Sequence, residues 1–173
     1  MNGDELRAIQ APLKERYRGD EKAGLVTLKA NGVLDSAAIA CKVETGRALA
    51  VAGLHPATGG SGAELCSGDM LLEALVACAG VTLKAVATSI GIELRSGKVA
   101  AEGDLDFRGT LGVDKQAAVG FTDIRLKFEL DTDASQDQLE TLLKLTERYC
   151  VVLQSLRRSP KTEAKLVRAY GPA

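Results

Sequence analysis

Two kinds of hydrophobic spacing divide this chain. From Gly24 apolar and polar residues alternate: Val26, Leu28 and Ala30 against Thr27, Lys29 and Asn31, then Ile39, Cys41 and Val43 against Ala40, Lys42 and Glu44. Alternation with a period of two predicts strands buried on one face. A turn at Thr45-Gly46 leads to a third strand over Ala48–Leu54, and three short strands joined by turn residues predict an antiparallel meander. The alternation returns after Gly91, with Val99, Ala101, Leu105 and Phe107 on one face and Glu102, Asp104 and Asp106 on the other. Thr110–Ala118 reads as a turn or bulged loop. Ile124, Leu126, Phe128 and Leu130 then alternate with Asp123, Arg125, Lys127 and Glu129, the clearest half-buried strand in the sequence.

Between these β regions lies Ser67–Gly91, SGDMLLEALVACAGVTLKAVATSIG. Ser67 is placed to cap a helix, Asp69 to complement the dipole in its first turn, and Gly91 to end it. From Ala74 to Val81 every residue is apolar or small, so the helix has no solvated face there and is expected inside a core, covered on several sides. Asp69, Glu73 and Lys84 leave an uncharged run short of the ~20 residues that span a bilayer. The preceding HPATGGSGAELCSG, His55–Gly68, is a glycine-rich connection. It lacks the Gly-Lys-Ser/Thr ending that a phosphate-cradling loop requires.

A second helix opens at Ser135, with Gln138 at capping-box spacing. Leu139, Leu142, Leu143, Thr146, Tyr149 and Cys150 follow on one side. A break is expected near Cys150, with resumption through Leu153 and Leu156 to Arg158, a stop at Pro160, and a final strand over Ala164–Tyr170. Residues 1–23 are charged and interrupted by Pro12 and Gly19, which predicts a short helix or two packed on the body or on a partner subunit. The order of strands, buried helix, strands, helix and strand gives an α+β class. Residues 1–173 form a single domain, with 1–23 as an N-terminal helical extension.

Composition narrows the function. The chain has 173 residues, 46% hydrophobic and 26% charged, as expected of a soluble globular protein, and with 3% aromatics its core must be aliphatic. A net charge of −1 gives no reason to expect a nucleic acid or an anionic membrane as partner. No cationic start precedes an apolar run, so no signal peptide is expected and the cytoplasm is the default. There the four cysteines, Cys41, Cys66, Cys78 and Cys150, are expected to be free, catalytic or metal-binding rather than structurally bridged. They form no C-x-x-C pair, and with His55 the lone histidine a zinc site is not expected.

Cys41, on the apolar face of its strand, reads as packing. Cys78 and Cys150 lie on the inward sides of the two main helices and would meet if those helices pack together. Cys66 and Cys78 are about 18 Å apart along a helix axis, beyond disulfide reach unless the helix unwinds, so Cys150 is left to pair with either. Acidity alone favours Cys66, beside a helix N-terminus. Cys78, about three turns in, needs a cation supplied by tertiary or quaternary structure, an arginine above all.

The stretch SGDMLLEALVACAGVTLKAVA resembles the first-cysteine segment of the osmotically inducible protein C (OsmC) and organic hydroperoxide resistance (Ohr) family, whose pattern is S/N-P-x-E-L-L-x-A-A-L-x-x-C. The preceding G-G-S-G and the later ERYCVVLQSL, similar to the second-cysteine segment, extend the likeness over about residues 24–170. The resemblance implies an OsmC-like fold, with curved antiparallel sheets wrapped around two central helices in an intertwined homodimer. It implies that Cys78 attacks a peroxide and becomes a sulfenic acid, that Cys150 resolves it as a disulfide, and that a small thiol or lipoyl dithiol reduces the product, with no bound cofactor.

The chain departs from that pattern at several points. Gly68 replaces the glutamate that holds an arginine over the sulfur, and the adjacent Asp69 matches the acid of other branches. Ser67 and Val151 stand where the family carries proline. Arg47 is the nearest candidate for the activating arginine, with Arg16 and Arg18 available from the N-terminal extension. The leading expectation is a thiol-dependent reductase of organic hydroperoxides that uses Cys78, Cys150, Asp69 and Arg47. The alternatives are a non-catalytic relative that binds a small apolar or thiol ligand at the dimer pocket, and a protein whose reactive thiol is Cys66.

Overall fold

A computed structural model describes residues 2–19, 31–34, 40–44, 49–112 and 114–168. The N-terminal extension is one helix, α1 (Gly3–Gly19), which continues through Pro12 although proline has no N–H to give the turn behind it. Asn2 and Glu5 fix its start: each side chain accepts from the other's backbone N–H at 2.9 Å.

β1 (Asn31–Leu34), β2 (Ala40–Glu44) and β3 (Leu49–Gly53) form the antiparallel meander, with Leu34 opposite Cys41 and Ala40 opposite Gly53. The alternation expected over 24–30 and the turn at Thr45-Gly46 lie outside the described residues. The glycine-rich connection holds more order than its composition implies. Pro56–Thr58 form a turn of 3-10 helix capped by His55, whose Nδ1 accepts from the Ala57 N–H at 3.0 Å. At Gly60 an added Cβ would lie 1.7 Å from the Leu54 carbonyl oxygen, so only glycine fits. β4 (Leu65–Cys66) then pairs parallel to β3 and delivers the chain to the central helix. Beyond β4, β1–β3 has no extensive packing partner among the described residues.

The central helix, α2 (Ser67–Ile90), is capped by Cys66 rather than by Ser67, and the Cys66 side chain makes no capping bond. Gly91 ends it in the left-handed conformation at φ 77°, its N–H donating to the Ala87 carbonyl. α2 is apolar and long enough to cross a membrane by length and composition, yet one of its faces seals the protein's core. Leu75, Ala79, Leu83, Val86 and Ala87 are buried at helical spacing. Each such leucine contributes roughly 1.5–3 kcal/mol on removal from water.

Opposite lies a second sheet, β5 (Ser96–Leu105) antiparallel to β6 (Phe121–Asp131), with Gly103 facing Ile124 and a register shift at Asp104/Leu105. Val99, Ala101, Ile124, Leu126 and Phe128 pack inward. Phe107 does not extend the strand. It opens a short helix, α3 (Phe107–Thr110), because Asp106 accepts from the Arg108 N–H at 3.0 Å and turns the backbone. α4 (Gln136–Tyr149) carries the full Ser135–Gln138 capping box, and after a break at Cys150 the chain resumes as α5 (Val151–Arg157).

Three expectations are corrected. The buried stripe of α4 is narrow: Leu142, Thr146 and Cys150 are sealed, whereas Leu143 and Tyr149 face solvent, because a single neighbouring helix covers only one line of residues. No strand forms over the described part of 164–170. Residues 164–168 are exposed and irregular, Leu166 and Val167 included, because a strand needs a neighbouring edge to bond to and none lies against them among the described residues. Last, the described residues do not cover α2 on several sides. Ala74, Ala77 and Val81 share an outward line, and Val81 is 73% exposed. α1 covers only part of α2, its start approaching Thr88 near the C-terminal end.

Candidate active site

The break between α4 and α5 builds the site. Cys150 has extended backbone, φ −71° and ψ 106°, and serves both helices. Its N–H donates to the Thr146 carbonyl at 2.9 Å and closes α4; its carbonyl accepts from the Gln154 N–H at 2.9 Å and opens α5. The first N–H groups of α5, on Val151, Val152 and Leu153, therefore have no acceptor within the helix. Gln154 Nε2 also donates to the Glu147 carbonyl at 2.7 Å, and Arg157 Nη2 to Glu147 Oε1 at 2.9 Å, so two side chains of α5 hold the end of α4.

Cys150 is 0% exposed and packs with Leu75 and Ala79 of α2. Cys78, on the same helix, is partly exposed and packs against that cluster. The two thiols are neighbours in this cluster, and their surroundings drive their acidities apart. Burial pushes the Cys78 thiol up, but the Val152 N–H, the Cys150 thiol, the Val151 N–H and the Thr82 hydroxyl all donate to the sulfur. Together they hold Cys78 below its ordinary value of 9.0. Burial pushes Cys150 up, and its proton is further retained by the bond it gives to Cys78; the Leu153 and Val152 amides oppose this only in part. The pair thus consists of a sulfur made more acidic than an ordinary thiol and a neighbour made less so. These are the requirements for a nucleophile beside a resolving thiol.

The donors to Cys78 among the described residues are neutral, in place of the cation that the sequence calls for. Arg47 lies outside the described residues, and the side chains of Arg16 and Arg18 are likewise not described. Asp69 is exposed in the first turn of α2, about 13 Å from Cys78 along the axis, and the structure does not bring the two together. Because α2 is continuous from Ser67, Cys66 stays about 18 Å from Cys78 along the axis. Cys66 lines a different cavity of about 410 Å³ with Leu71, Phe107 and Phe121, where His55 stacks on Phe107 at 4.8 Å between ring centres. Among the described residues no group of three or more His, Cys, Asp or Glu side chains is placed to hold a metal ion.

Sequence reasoning missed Thr82 and the amides of Val151 and Val152. Thr82 lies four residues after Cys78, the spacing that puts two helical side chains side by side. The amides were implied by the break expected at Cys150, since a restarting helix leaves its first N–H groups unbonded.

The family model described as OsmC-like protein matches residues 60–165, more than half of the chain and both cysteines. The chain belongs to the OsmC-like family. No curated protein matches it. The OsmC-like architecture recurs in solved structures. An OsmC-like protein from Mycoplasma pneumoniae aligns with 16% identity and a TM-score of 0.64, covering 78% of this chain and 89% of that one. An organic hydroperoxide resistance protein OsmC from Legionella pneumophila aligns with 18% identity and a TM-score of 0.60, over 78% and 92% of the two chains. The organic hydroperoxide resistance protein OhrB of Bacillus subtilis aligns with 18% identity and a TM-score of 0.52, over 79% and 94%. At such identities the likeness establishes a shared OsmC-like fold.

Proposed function

We propose that this OsmC-like protein is a thiol peroxidase that reduces organic hydroperoxides. The observation that carries the reading is the packing of Cys78 against Cys150 in one cluster of α2 and the α4–α5 break, where the surroundings lower the pKa of the first and raise that of the second. In the reaction the Cys78 thiolate attacks the outer peroxide oxygen, the O–O bond breaks, and the alkoxide leaves as an alcohol after taking a proton. Cys78 is then a sulfenic acid. The Cys150 sulfur displaces its hydroxyl as water, forming the Cys78–Cys150 disulfide. An external dithiol restores both thiols and is itself oxidised to a disulfide. The aliphatic surroundings of the pair, Val99, Ala101, Ile124 and Leu126 among them, suit an alkyl or fatty peroxide better than hydrogen peroxide. The descriptions of the Legionella and Bacillus proteins as organic hydroperoxide resistance proteins support the same reading.

The working unit in this reading is a homodimer. A β1–β3 arm with little to pack on among the described residues and an exposed apolar line on α2 both suit a second copy. Consumption of cumene hydroperoxide with a dithiol, in wild type, Cys78→Ser and Cys150→Ser, tests the mechanism. Loss of turnover in Cys78→Ser is expected, and wild-type turnover in that variant refutes it.

A second reading is a non-catalytic protein that binds a small apolar or thiol ligand, and the distance between Asp69 and Cys78 favours it. Slow alkylation of Cys78 by iodoacetamide at neutral pH would support that reading over the first. Alkylation of Cys66 ahead of Cys78 would instead make Cys66 the reactive thiol.

A further inference from the structure

The geometry points to a fixed direction for the reductive half of the cycle: the reducing thiol bonds to the Cys78 sulfur, and Cys150 is always the thiol expelled. This rests on the pairing of Cys78 with Cys150 proposed above, but not on a peroxide being what oxidises them.

Two effects oppose each other. Thiol–disulfide exchange is faster when the leaving sulfur is the more acidic one. Cys78 is held acidic by the Val151 and Val152 amides and by Thr82, whereas burial raises Cys150. On leaving-group grounds alone an incoming thiolate would attack Cys150 and release Cys78. Access works the other way. An attacking sulfur must approach along the S–S axis, and Cys150 has no exposed surface, closed in by Leu75 and Ala79. Cys78 retains exposed surface at the edge of that cluster.

The acidity difference changes rates by a modest factor, because nucleophilicity and leaving ability depend only fractionally on acidity. A sulfur that cannot be reached does not react until the helix break opens. The burial of Cys150 is also complete within one chain, so a second copy can only deepen it.

The step then balances as follows. The reductant's thiolate forms a bond to Cys78 Sγ, the Cys78–Cys150 bond breaks, and its electron pair leaves on Cys150, which takes a proton. The reductant's second thiol, as thiolate, attacks the reductant sulfur of the mixed disulfide. Cys78 departs as the thiolate its donors stabilise, and the reductant closes to its own disulfide. Here the acidity of Cys78 favours release of the product.

The test uses the full chain oxidised in two ways, with cumene hydroperoxide and with diamide. The disulfide form is pulsed with 2-mercaptoethanol and quenched into acidic denaturant containing N-ethylmaleimide. Cleavage after Glu73 separates Cys66 from Cys78, and cleavage after Arg148 isolates the Cys150 peptide. Mercaptoethanol is expected on Cys78 and maleimide on Cys150, in about tenfold excess or more over the reverse pattern. The reverse pattern, or equal amounts of the two, overturns the inference while leaving the peroxidase reading intact. A disulfide that forms with diamide but not with peroxide, and still opens at Cys78, supports the inference and removes the peroxidase. Failure of both oxidants to join Cys78 to Cys150 overturns both.

Discussion

Arg157 grips Glu147 across the helix break that contains Cys150, Nη2 to Oε1 at 2.9 Å and Nη1 to Oε2 at 3.2 Å. The pair fixes the angle at which α5 starts, and with it the direction of the Val151 and Val152 amides that acidify Cys78. Both side chains are substantially exposed, so the pair itself adds no more than about 1 kcal/mol to stability. Its larger effect is positional. Arg157→Ala is expected to slow alkylation of Cys78 by iodoacetamide at neutral pH about threefold, roughly half a unit of thiol acidity. An unchanged rate would show that the amides hold their direction without this clamp.

The same pair has a pH signature. The hydrogen bond from Arg157 holds the Glu147 carboxyl below its ordinary value of 4.5, against the effect of burial. A carboxyl depressed on folding contributes stability that is present above its unfolded value and lost as pH falls through the folded one. Urea unfolding should therefore show Glu147→Gln less stable than wild type at pH 7 by under about 1 kcal/mol, with the two converging near pH 3. A gap that persists in acid would assign the loss to packing rather than to charge.

The Cys150 thiol, as a hydrogen-bond donor, lowers the pKa of Cys78. Removing that donor should move the alkylation midpoint of Cys78 upward, toward the ordinary 9.0. In Cys150→Ala the reactive fraction at pH 7 falls accordingly, whereas in Cys150→Ser a hydroxyl can still donate and the shift is smaller. The sign is fixed: the thiolate is the reactive form, so a higher midpoint means slower alkylation at neutral pH. Equal midpoints in wild type and Cys150→Ala would leave the backbone amides and Thr82 as the whole cause.

Thr146 is 1% exposed, and its hydroxyl has no hydrogen-bond partner among the described residues, one turn before Cys150 on the sealed stripe of α4. A buried, unpaired hydroxyl costs about 1–3 kcal/mol. Thr146→Val keeps the shape and removes the hydroxyl, so it is expected to stabilise the protein by about 1 kcal/mol, a rise of roughly 2–4 °C in Tm. A lower Tm in a calorimetric scan would mean that the hydroxyl is bonded in the folded protein.

What could be read from the sequence follows from which interactions are local. The strands β2, β3, β5 and β6, the Ser135 cap and the break at Cys150 each leave a signature within a few residues, and each was legible; β1, at Asn31–Leu34, lies beyond the alternation that pointed to a first strand. Phe107 obeyed the alternation and still left the strand, because one Asp106 side-chain bond outweighed the pattern. Ser67 lost the cap position to Cys66 because β4, unseen in a glycine-rich stretch, ends its extended backbone at Cys66 and leaves Ser67 already helical. The contact of Cys78 with Cys150 joins residues 72 apart in sequence, and helical spacing could place each on an inward side but could not dock one helix on the other. The acidifying donors were missed for a different reason. Backbone amides leave no trace in residue identity, so a search for charged side chains passes over them.

The outward line of α2 supports the last prediction. Ala74, Ala77 and Val81 present small apolar surface with Val81 73% exposed, on a helix whose opposite face is sealed. An apolar line of this kind on the central helix suits a matching line on a second copy, where small residues let two helices approach closely. Val81→Lys places a charge at its most exposed position while leaving the inward Leu75, Ala79 and Leu83 untouched. If a second copy covers that line, burying an unpaired ammonium there costs several kcal/mol, and sedimentation should show the dimer shifted to monomer at micromolar concentration. The helical signal in circular dichroism should persist, since the chain's own core is unaltered. A Val81→Lys protein that sediments like wild type would place the contact between copies elsewhere, with the β1–β3 arm as the remaining candidate.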